Sequence, residues 1–151
     1  MNQIVPLLSV SRVLLDVETG SKKQLFEHVS QLLHTESGVA ASMVADSLLA
    51  REKLGSTGLG LGIAIPHGRI KGLKSALGVF VRLRTPIEFD APDKLPVRLL
   101  FMLFVPMQAT DLHLQILGEL AQLFSDKAMR DNLCKCESSE EMLTMIAQWT
   151  P

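Results

Sequence analysis

The sequence predicts an α/β fold, a single domain built on a mixed β-sheet that is covered by helices. Short apolar runs, typical of buried strands, alternate with segments whose apolar residues recur at helical spacing. Serine, glycine and proline stand at most boundaries between these segments, where helices begin and the chain turns. A length of 151 residues, with 47% hydrophobic and 21% charged residues, suits one soluble domain, and no repeat or low-complexity tract appears.

The first third of the chain predicts one strand and two helices. Val13 to Val17 is an apolar run typical of a strand. Ser21 begins a helix, because Gln24 three residues later completes a capping box, and Gly38 ends it. A second helix extends from Val39 to Lys53. The residues expected on the inner faces of these helices are Leu25, Val29 and Leu32, and then Ala41, Val44, Ala45 and Leu48.

The rest of the chain predicts three further strand segments before a helical end. Ile63 to Ile65 is a short buried strand, and Leu77 to Leu83 is rich in β-forming residues. Thr85-Pro86 is a turn signal. Val97 to Val105 is almost entirely apolar, which is typical of a strand covered on both faces, and Pro106 stops it. The remaining helices are predicted over Asp111 to Phe124, with Ile116, Leu120 and Leu123 facing inward, and in two short segments, the last begun by Ser138 with Glu141 as its capping partner.

Charge and hydropathy exclude two classes of function. The formal net charge is −1 and the basic residues are scattered, so nothing indicates a nucleic-acid-binding surface. The longest apolar run, Leu99 to Val105, is too short to cross a bilayer, which predicts no membrane insertion. Met1 to Pro6 lacks the features of a secretory signal. We therefore expect a cytoplasmic protein.

The two cysteines do not form a recognisable metal or redox motif. Cys134 and Cys136 are separated by one residue near a predicted helix end. No further cysteine or histidine stands nearby at metal-ligand spacing, and a redox pair usually has two intervening residues. In the cytoplasm both cysteines are expected to be reduced thiols. The sequence therefore predicts neither a metal site nor a cofactor.

The segment 58–69, Gly-Leu-Gly-Leu-Gly-Ile-Ala-Ile-Pro-His-Gly-Arg, is the most informative part of the chain. The strand that ends at Ile65 is followed by Pro66, which fixes its own φ and gives the chain a defined exit. His67 comes next, and Gly68 beside it leaves room for another surface to approach. A neutral imidazole in this place carries one free lone pair and can act as nucleophile, general base or metal ligand. We therefore predict that His67 is reactive.

Two other side chains are candidates for the same site. His113 lies in the first turn of the helix after the apolar strand, where it is either a histidine at the edge of the core or a site residue. If the strands at 63–65 and 99–105 are parallel neighbours, the two histidines share one crevice, because α/β sheets bind ligands at the carboxyl ends of strands. Arg51 stands at the end of the second helix, and its guanidinium suits the oxygens of a phosphoryl group.

Together these residues indicate a phosphoryl acceptor. A neutral histidine nucleophile with cationic and backbone donors around it meets the need of phosphoryl transfer for positioning and charge stabilisation. Ser56, Thr57 and Gly68 are expected to support the phosphate. The glycine-rich segment lacks the Lys-Ser/Thr ending of a nucleotide-binding loop, so another protein must supply the phosphoryl group. His28 and His34 share a helix with lysines and are expected to be surface residues.

These residues also resemble those of a known family, the type-2 enzyme IIA proteins of the bacterial phosphoenolpyruvate phosphotransferase system, and in particular its nitrogen-regulatory branch. The resemblance rests on Glu52, on Leu59-Gly60 and on the run from Ile63 to Gly68. It extends over nearly the whole chain, through Ser21-Lys22-Lys23, Phe89 to Asp93, Leu99 to Pro106, His113-Leu114-Gln115 and Leu123 to Asp126. It implies a mixed β-sheet flanked by helices on both sides.

The resemblance also implies a function. It places the phosphorylated histidine of the family at His67, with the phosphate on Nε2, and the family's second histidine and arginine at His113 and Arg51. It implies that the phosphoryl group comes from a histidine-phosphorylated HPr-like phosphocarrier protein, called NPr in the nitrogen-related system. It further implies that the protein regulates downstream targets according to its phosphorylation state, with potassium-transport regulators as candidates.

Three alternatives remain open. A sugar-specific enzyme IIA of the fructose or mannitol type would pass the phosphate to a IIB domain, but the sequence holds no IIB-like cysteine motif and no membrane segment. A regulatory module could bind its targets without being phosphorylated. A small histidine-dependent hydrolase is disfavoured, because no paired carboxylate or serine accompanies His67 in the sequence.

Overall fold

A mixed β-sheet forms the centre of the computed structural model, which describes residues 2–109 and 111–151. The strands are β1 Val13–Val17, β2 Gly58–Gly60, β3 Ile63–Ala64, β4 His67–Ile70, β5 Leu77–Ile87 and β6 Val97–Pro106. Within the described residues they make one sheet in the order β1-β5-β6-β3-β2, and β4 also pairs with β6. β1 is parallel to β5, and both β3 and β4 are parallel to β6. The pairs β5–β6 and β2–β3 are antiparallel.

Helices cover both faces of this sheet. They are α1 Lys22–Ser37, α2 Ala41–Lys53, α3 Leu112–Ser125, α4 Lys127–Lys135 and α5 Ser139–Gln148, with short 3-10 turns at Val5–Leu7 and Val10–Arg12. Side chains alternate between the faces along a strand, so Val79 packs with α1 and α2, whereas Phe80 packs with α3, α4 and α5. Each face therefore has its own apolar core, and the predicted fold class is confirmed.

The helix ends follow the local signals in the sequence with small differences. The Ser21 hydroxyl accepts the N–H of Gln24 at 3.1 Å, and Gly38 ends α1 in the left-handed conformation with φ of 74°. The side chain of Gln24 accepts the N–H of Gly20 rather than that of Ser21. α2 begins at Ala41, two residues later than predicted, after an Ala40 that offers no side-chain cap. α3 lies one residue later than predicted at each end.

The turn predicted at Thr85-Pro86 is wrong, because β5 continues through both residues to Ile87. Proline cannot donate to a regular ladder, so strands accept it where pairing is irregular. The register between β5 and β6 shifts between Arg82 and Ile87. β1 reaches only as far as Leu83 on the other side. The proline thus occupies an exposed, irregular part of a long strand.

The chain takes a step between β3 and β4 that determines where His67 lies. The predicted strand at 63–65 ends at Ala64, and the chain re-enters the sheet at His67 beside the same neighbour, β6. Pro66 has no N–H to donate, but its carbonyl accepts the N–H of Leu103 at 2.9 Å and keeps the step in contact with the sheet. His67 therefore begins a new strand rather than a loop.

None of the helices in the described part of the chain has the length and apolar character that a bilayer crossing needs.

Candidate functional site

His67 follows the carboxyl end of β3 and lies beside the carboxyl-terminal half of β6, to which β3 is parallel. The condition set by the sequence is met, since β3 is parallel to β6 and pairs with it through Ile63–Leu99 and Ala64–Leu100. The carboxyl end of β6 leads to α3, which carries His113 in its first turn. The sheet therefore delivers both histidines to one crevice, as such sheets do at strand ends.

Two hydrogen bonds fix the His67 ring. Nδ1 lies 2.9 Å from the carbonyl oxygen of Ile65, which is an acceptor only, so Nδ1 carries the proton and donates it. Arg51 Nε donates to Nε2 at 3.3 Å, which requires a lone pair on that nitrogen. These partners assign the neutral tautomer with the proton on Nδ1. The nitrogen that can act as a nucleophile is therefore Nε2.

The surroundings of His67 favour this neutral form. Partial burial of the ring lowers the pKa of His67 below its ordinary value, and electrostatic interactions with Arg51 and His113 lower it further. The bond to the Ile65 carbonyl and the negative charge of Glu52 act in the opposite direction on that pKa without cancelling the effect of burial. At neutral pH the ring therefore retains its lone pair.

Arg51, His67 and His113 line one cleft of about 380 Å³, a volume in the range of small-ligand sites. Arg51 lies in the last turn of α2, and its Nη1 donates to the carbonyl of Gly55 at 2.8 Å. His113 is half-buried at the wall of the cleft. The remaining lining residues are Ser47, Ala50, Leu54, Gly68, Arg69, Leu103 and Val105. The three residues predicted to carry the chemistry are thus brought together.

Ser56 and Thr57, which were predicted to support the phosphate, do not line this cleft. The Ser56 hydroxyl donates to the carbonyl of Phe89 at 2.9 Å and accepts the N–H of Gly58 at 3.1 Å. Thr57 is buried, and its hydroxyl donates to the carboxylate of Glu52. Both hydroxyls therefore hold the chain that follows α2, and the groups to which they donate lie on Phe89 and on Glu52 of the preceding helix.

Gly68 does line the cleft, and its lack of a side chain has a steric reason. A Cβ at this position would lie 2.4 Å from the hydroxyl oxygen of Ser47 on α2. That hydroxyl donates to the carbonyl of Arg69 at 3.0 Å and ties α2 to β4. Glycine is needed here so that the helix carrying Arg51 can approach the strand carrying His67.

Two residues near the site were not among the predicted site residues. Glu52, although part of the motif, was assigned no role; its carboxylate accepts from Lys22 Nζ at 2.9 Å and from the N–H of Thr57 at 3.0 Å. Arg69 lines the cleft, and its Nη1 donates to the carbonyls of Met107 at 3.1 Å and Ala109 at 2.5 Å. In the sequence Glu52 follows Arg51 and Arg69 follows Gly68, which was the signal that could have marked them as site residues. Their hydrogen-bond partners could not be predicted from the sequence.

The other titratable candidates lie away from the cleft. His28 and His34 are exposed on α1, as predicted. Cys134 and Cys136 are free thiols, and burial raises the pKa of Cys136. Over residues 2–109 and 111–151, no group of three or more histidine, cysteine, aspartate or glutamate side chains is arranged to hold a metal ion.

Comparison with known proteins finds close relatives along nearly the whole chain. The family described as "Phosphoenolpyruvate-dependent sugar phosphotransferase system, EIIA 2" matches residues 6–149. A nitrogen regulatory protein from Klebsiella oxytoca is 44% identical over 133 residues, which cover 87% of this chain and 82% of that protein. One from Pseudomonas aeruginosa is 39% identical over 147 residues, which cover 97% of this chain and 96% of that protein.

A solved structure with the same fold comes from the same group of relatives. The crystal structure of nitrogen regulatory protein IIA-Ntr from Neisseria meningitidis matches with a TM-score of 0.90 and 50% sequence identity. The match covers 94% of this chain and 97% of that one.

The His67 ring is expected to titrate below about 6.5, the pKa of an unperturbed imidazole. Since burial opposes protonation, the fraction of His67 with a free Nε2 lone pair should rise with pH through a midpoint below 6.5 and stay level above it. Arg51→Gln removes a nearby positive charge and should move the pKa of His67 upward. NMR titration of the imidazole nitrogens measures both midpoints; a wild-type midpoint above 6.5 would contradict this description of the site.

Proposed function

Because the chain belongs to the type-2 enzyme IIA family of the phosphoenolpyruvate-dependent phosphotransferase system, we propose that it is a phosphoryl carrier and regulator that works through His67. In this proposal Nε2 of His67 accepts a phosphoryl group from a histidine-phosphorylated HPr-like carrier, NPr. The phosphorylation state then decides which target proteins are bound. The recognition of this family and its nitrogen-regulatory branch from the sequence is confirmed, and membership implies a phosphotransferase role with a phosphocarrier partner.

The observation that carries the proposal is the state of the imidazole. Nδ1 donates its proton in a hydrogen bond to the Ile65 carbonyl, burial disfavours the charged ring, and Nε2 lies beside the Arg51 guanidinium in an open cleft. A nucleophile must be unprotonated and accessible, and the dianion that it forms must be stabilised. The free Nε2 lone pair, the open cleft and the nearby guanidinium meet these three needs.

The proposed step is a transfer between two imidazoles. The lone pair of Nε2 attacks the phosphorus of the carrier's phosphohistidine, the N–P bond of the carrier breaks, and its electron pair returns to the carrier's ring. Nδ1 of His67 keeps its proton, and its hydrogen bond to the Ile65 carbonyl, while the phosphoramidate forms on Nε2. No nucleotide or metal enters this balance. Catalysis then depends on positioning and charge stabilisation.

Arg51 and His113 have distinct proposed roles around the new dianion. Arg51 already donates to Nε2, and a small shift along its side chain would let the guanidinium contact the phosphoryl oxygens with more than one N–H. His113 lines the same cleft, and an imidazole N–H there can donate to those oxygens. Both residues favour the charged product over the neutral acceptor.

The regulatory role is favoured over sugar uptake by the relatives themselves. The proteins from Klebsiella oxytoca, Pseudomonas aeruginosa and Neisseria meningitidis are all named nitrogen regulatory proteins, at 44%, 39% and 50% identity. We propose that this chain has the corresponding regulatory role and acts in the cytoplasm on downstream regulatory targets, with potassium-transport regulators as candidates. A sugar-type enzyme IIA would differ by handing its phosphoryl group on to a IIB domain.

Phosphorylation at His67 can be tested with purified components. The protein is incubated with phosphoenolpyruvate, the first enzyme of the system and the carrier, and its intact mass is measured. We expect one added phosphoryl group that is labile in acid and stable in base, because it is a phosphoramidate. His67→Ala should abolish the addition, whereas His28→Ala, which removes an exposed histidine on α1, should not.

Two results would overturn this proposal. Wild-type protein that gains no phosphoryl group would favour a binding module that works without phosphorylation. A His67→Ala variant that is still phosphorylated would show that another residue is the acceptor.

Replacing His113 tests whether it is a site residue or a histidine at the edge of the core. We expect His113→Ala to slow transfer, or to shorten the life of the phosphorylated state, by about tenfold, since it removes one positioned partner of the dianion. Thermal unfolding should stay close to that of the wild type. A variant with unchanged transfer and a strongly lowered unfolding temperature would assign the residue to the core instead.

A further inference from the structure

Glu52 stands where the elements around His67 meet. It lies in the last turn of α2, and its side chain is only 5% exposed. Oε1 accepts the N–H of Thr57 at 3.0 Å and also the hydroxyl of Thr57, while Oε2 accepts from Lys22 Nζ at 2.9 Å. A carboxylate this far from water is costly unless it is paired and hydrogen-bonded. Here the contacts of the carboxylate join the end of α2 to Thr57 and to the start of α1.

One set of contacts runs from Glu52 to the Nδ1 side of the imidazole. Glu52 holds Thr57 by its N–H and its hydroxyl. The carbonyl of Thr57 accepts the N–H of Ile65 at 3.0 Å, and the carbonyl of Ile65 accepts the Nδ1 proton of His67 at 2.9 Å. Ile65, whose carbonyl selects the tautomer, is thus joined by one hydrogen bond to the turn that Glu52 closes, and the His67 ring is joined to that turn through two.

A second set of contacts runs from the same turn to the Nε2 side. The backbone carbonyl of Glu52 accepts the N–H of Gly55 at 3.1 Å, so Glu52 closes the turn at residues 54–57 from both its backbone and its side chain. The carbonyl of Gly55 in turn accepts from Arg51 Nη1 at 2.8 Å, and Arg51 Nε donates to Nε2 of His67 at 3.3 Å. The turn therefore orients the guanidinium of Arg51 toward Nε2 of His67.

We propose that Glu52 is a positioning residue for phosphoryl acceptance: its carboxylate fixes the turn at 54–57, and that turn sets both hydrogen bonds that orient the His67 ring. The inference rests on the proposed function, because it assigns Glu52 a part in that same reaction. Glu52 contacts the turn rather than the reacting nitrogen, so it acts through Thr57 and Arg51. Lys22, whose Nζ also lies 4.3 Å from the centre of the Phe89 ring, supplies the matching positive charge.

Glu52→Gln is the variant that tests this role with the least change of shape. The amide of glutamine has one oxygen and one NH2 group in place of the two carboxylate oxygens. The NH2 group must therefore face either the Lys22 ammonium or the N–H and hydroxyl of Thr57, and the turn loses part of its support. We expect the rate of transfer at saturating phosphorylated carrier to fall about tenfold or more, because small displacements of positioned groups can cost up to about a hundredfold. The carrier concentration at half-saturation should change by less than about twofold.

Nitrogen NMR of the neutral ring supplies a readout that does not depend on transfer. In the wild type we expect the His67 tautomer with the proton on Nδ1, and in Glu52→Gln a mixture of both tautomers. Thr57→Val, which removes only the hydroxyl, should lower the rate and mix the tautomers in the same way as Glu52→Gln. Each effect should be about threefold smaller than in Glu52→Gln. Glu140→Gln is the matched control, because it makes the same substitution at an exposed position of α5, and both readouts should equal those of the wild type.

The outcomes separate this inference from the proposed function. Wild-type protein that is never phosphorylated would defeat the proposed function, while the tautomer comparison would still test the positioning. A Glu52→Gln variant with the wild-type rate and tautomer would overturn the positioning alone. So would a slower variant that keeps the wild-type tautomer, because Glu52 would then act by its charge. If Glu52→Gln does not fold, Thr57→Val decides by the same two readouts.

Discussion

The hydrogen bond from His67 Nδ1 to the carbonyl of Ile65 is the constraint on which the site depends. An imidazole has two nitrogens, and a free ring would share its proton between them. By accepting a hydrogen bond from Nδ1–H, the carbonyl keeps the proton on Nδ1 and leaves the lone pair on Nε2, the nitrogen that accepts from Arg51 in the cleft. Burial then lowers the pKa of His67 and keeps this form at neutral pH. A backbone atom thus selects the nucleophile.

The fold makes this bond possible by stepping the chain along one strand. β3 and β4 both pair with β6, and the step at Pro66 turns the Ile65 carbonyl toward the ring of His67 two residues later. The defined exit at Pro66 and the presentation of His67 beside Gly68 were predictable, because these residues act locally, but the strand that begins at His67 and the bond to the Ile65 carbonyl were not predicted. The parallel pairing of the strands at 63–65 and 99–105 was predicted only as a condition, which the structure meets.

The features that the sequence could not supply are those whose partners lie far apart along the chain. Thr85-Pro86 has the composition of a turn, but β5 continues through it. The proline is tolerated because the pairing of β5 with β1 ends, and that with β6 shifts, near this position. Ser56 and Thr57 have hydroxyls suited to phosphate, yet Phe89 and Glu52 engage them. Glu52 itself is paired with Lys22, thirty positions away in the sequence, so no local pattern reveals its place behind the site.

The ring nitrogen that carries phosphorus after modification reports whether Nδ1 is held by the Ile65 carbonyl. Protein with nitrogen-15 in its histidines, phosphorylated by the carrier, would show which ring nitrogen couples to phosphorus-31 by NMR. If the Ile65 carbonyl holds the Nδ1 proton, phosphorus must couple to Nε2 of His67, with Nδ1 still protonated. Coupling to Nδ1 of that ring, or to any nitrogen of another histidine, would contradict the account.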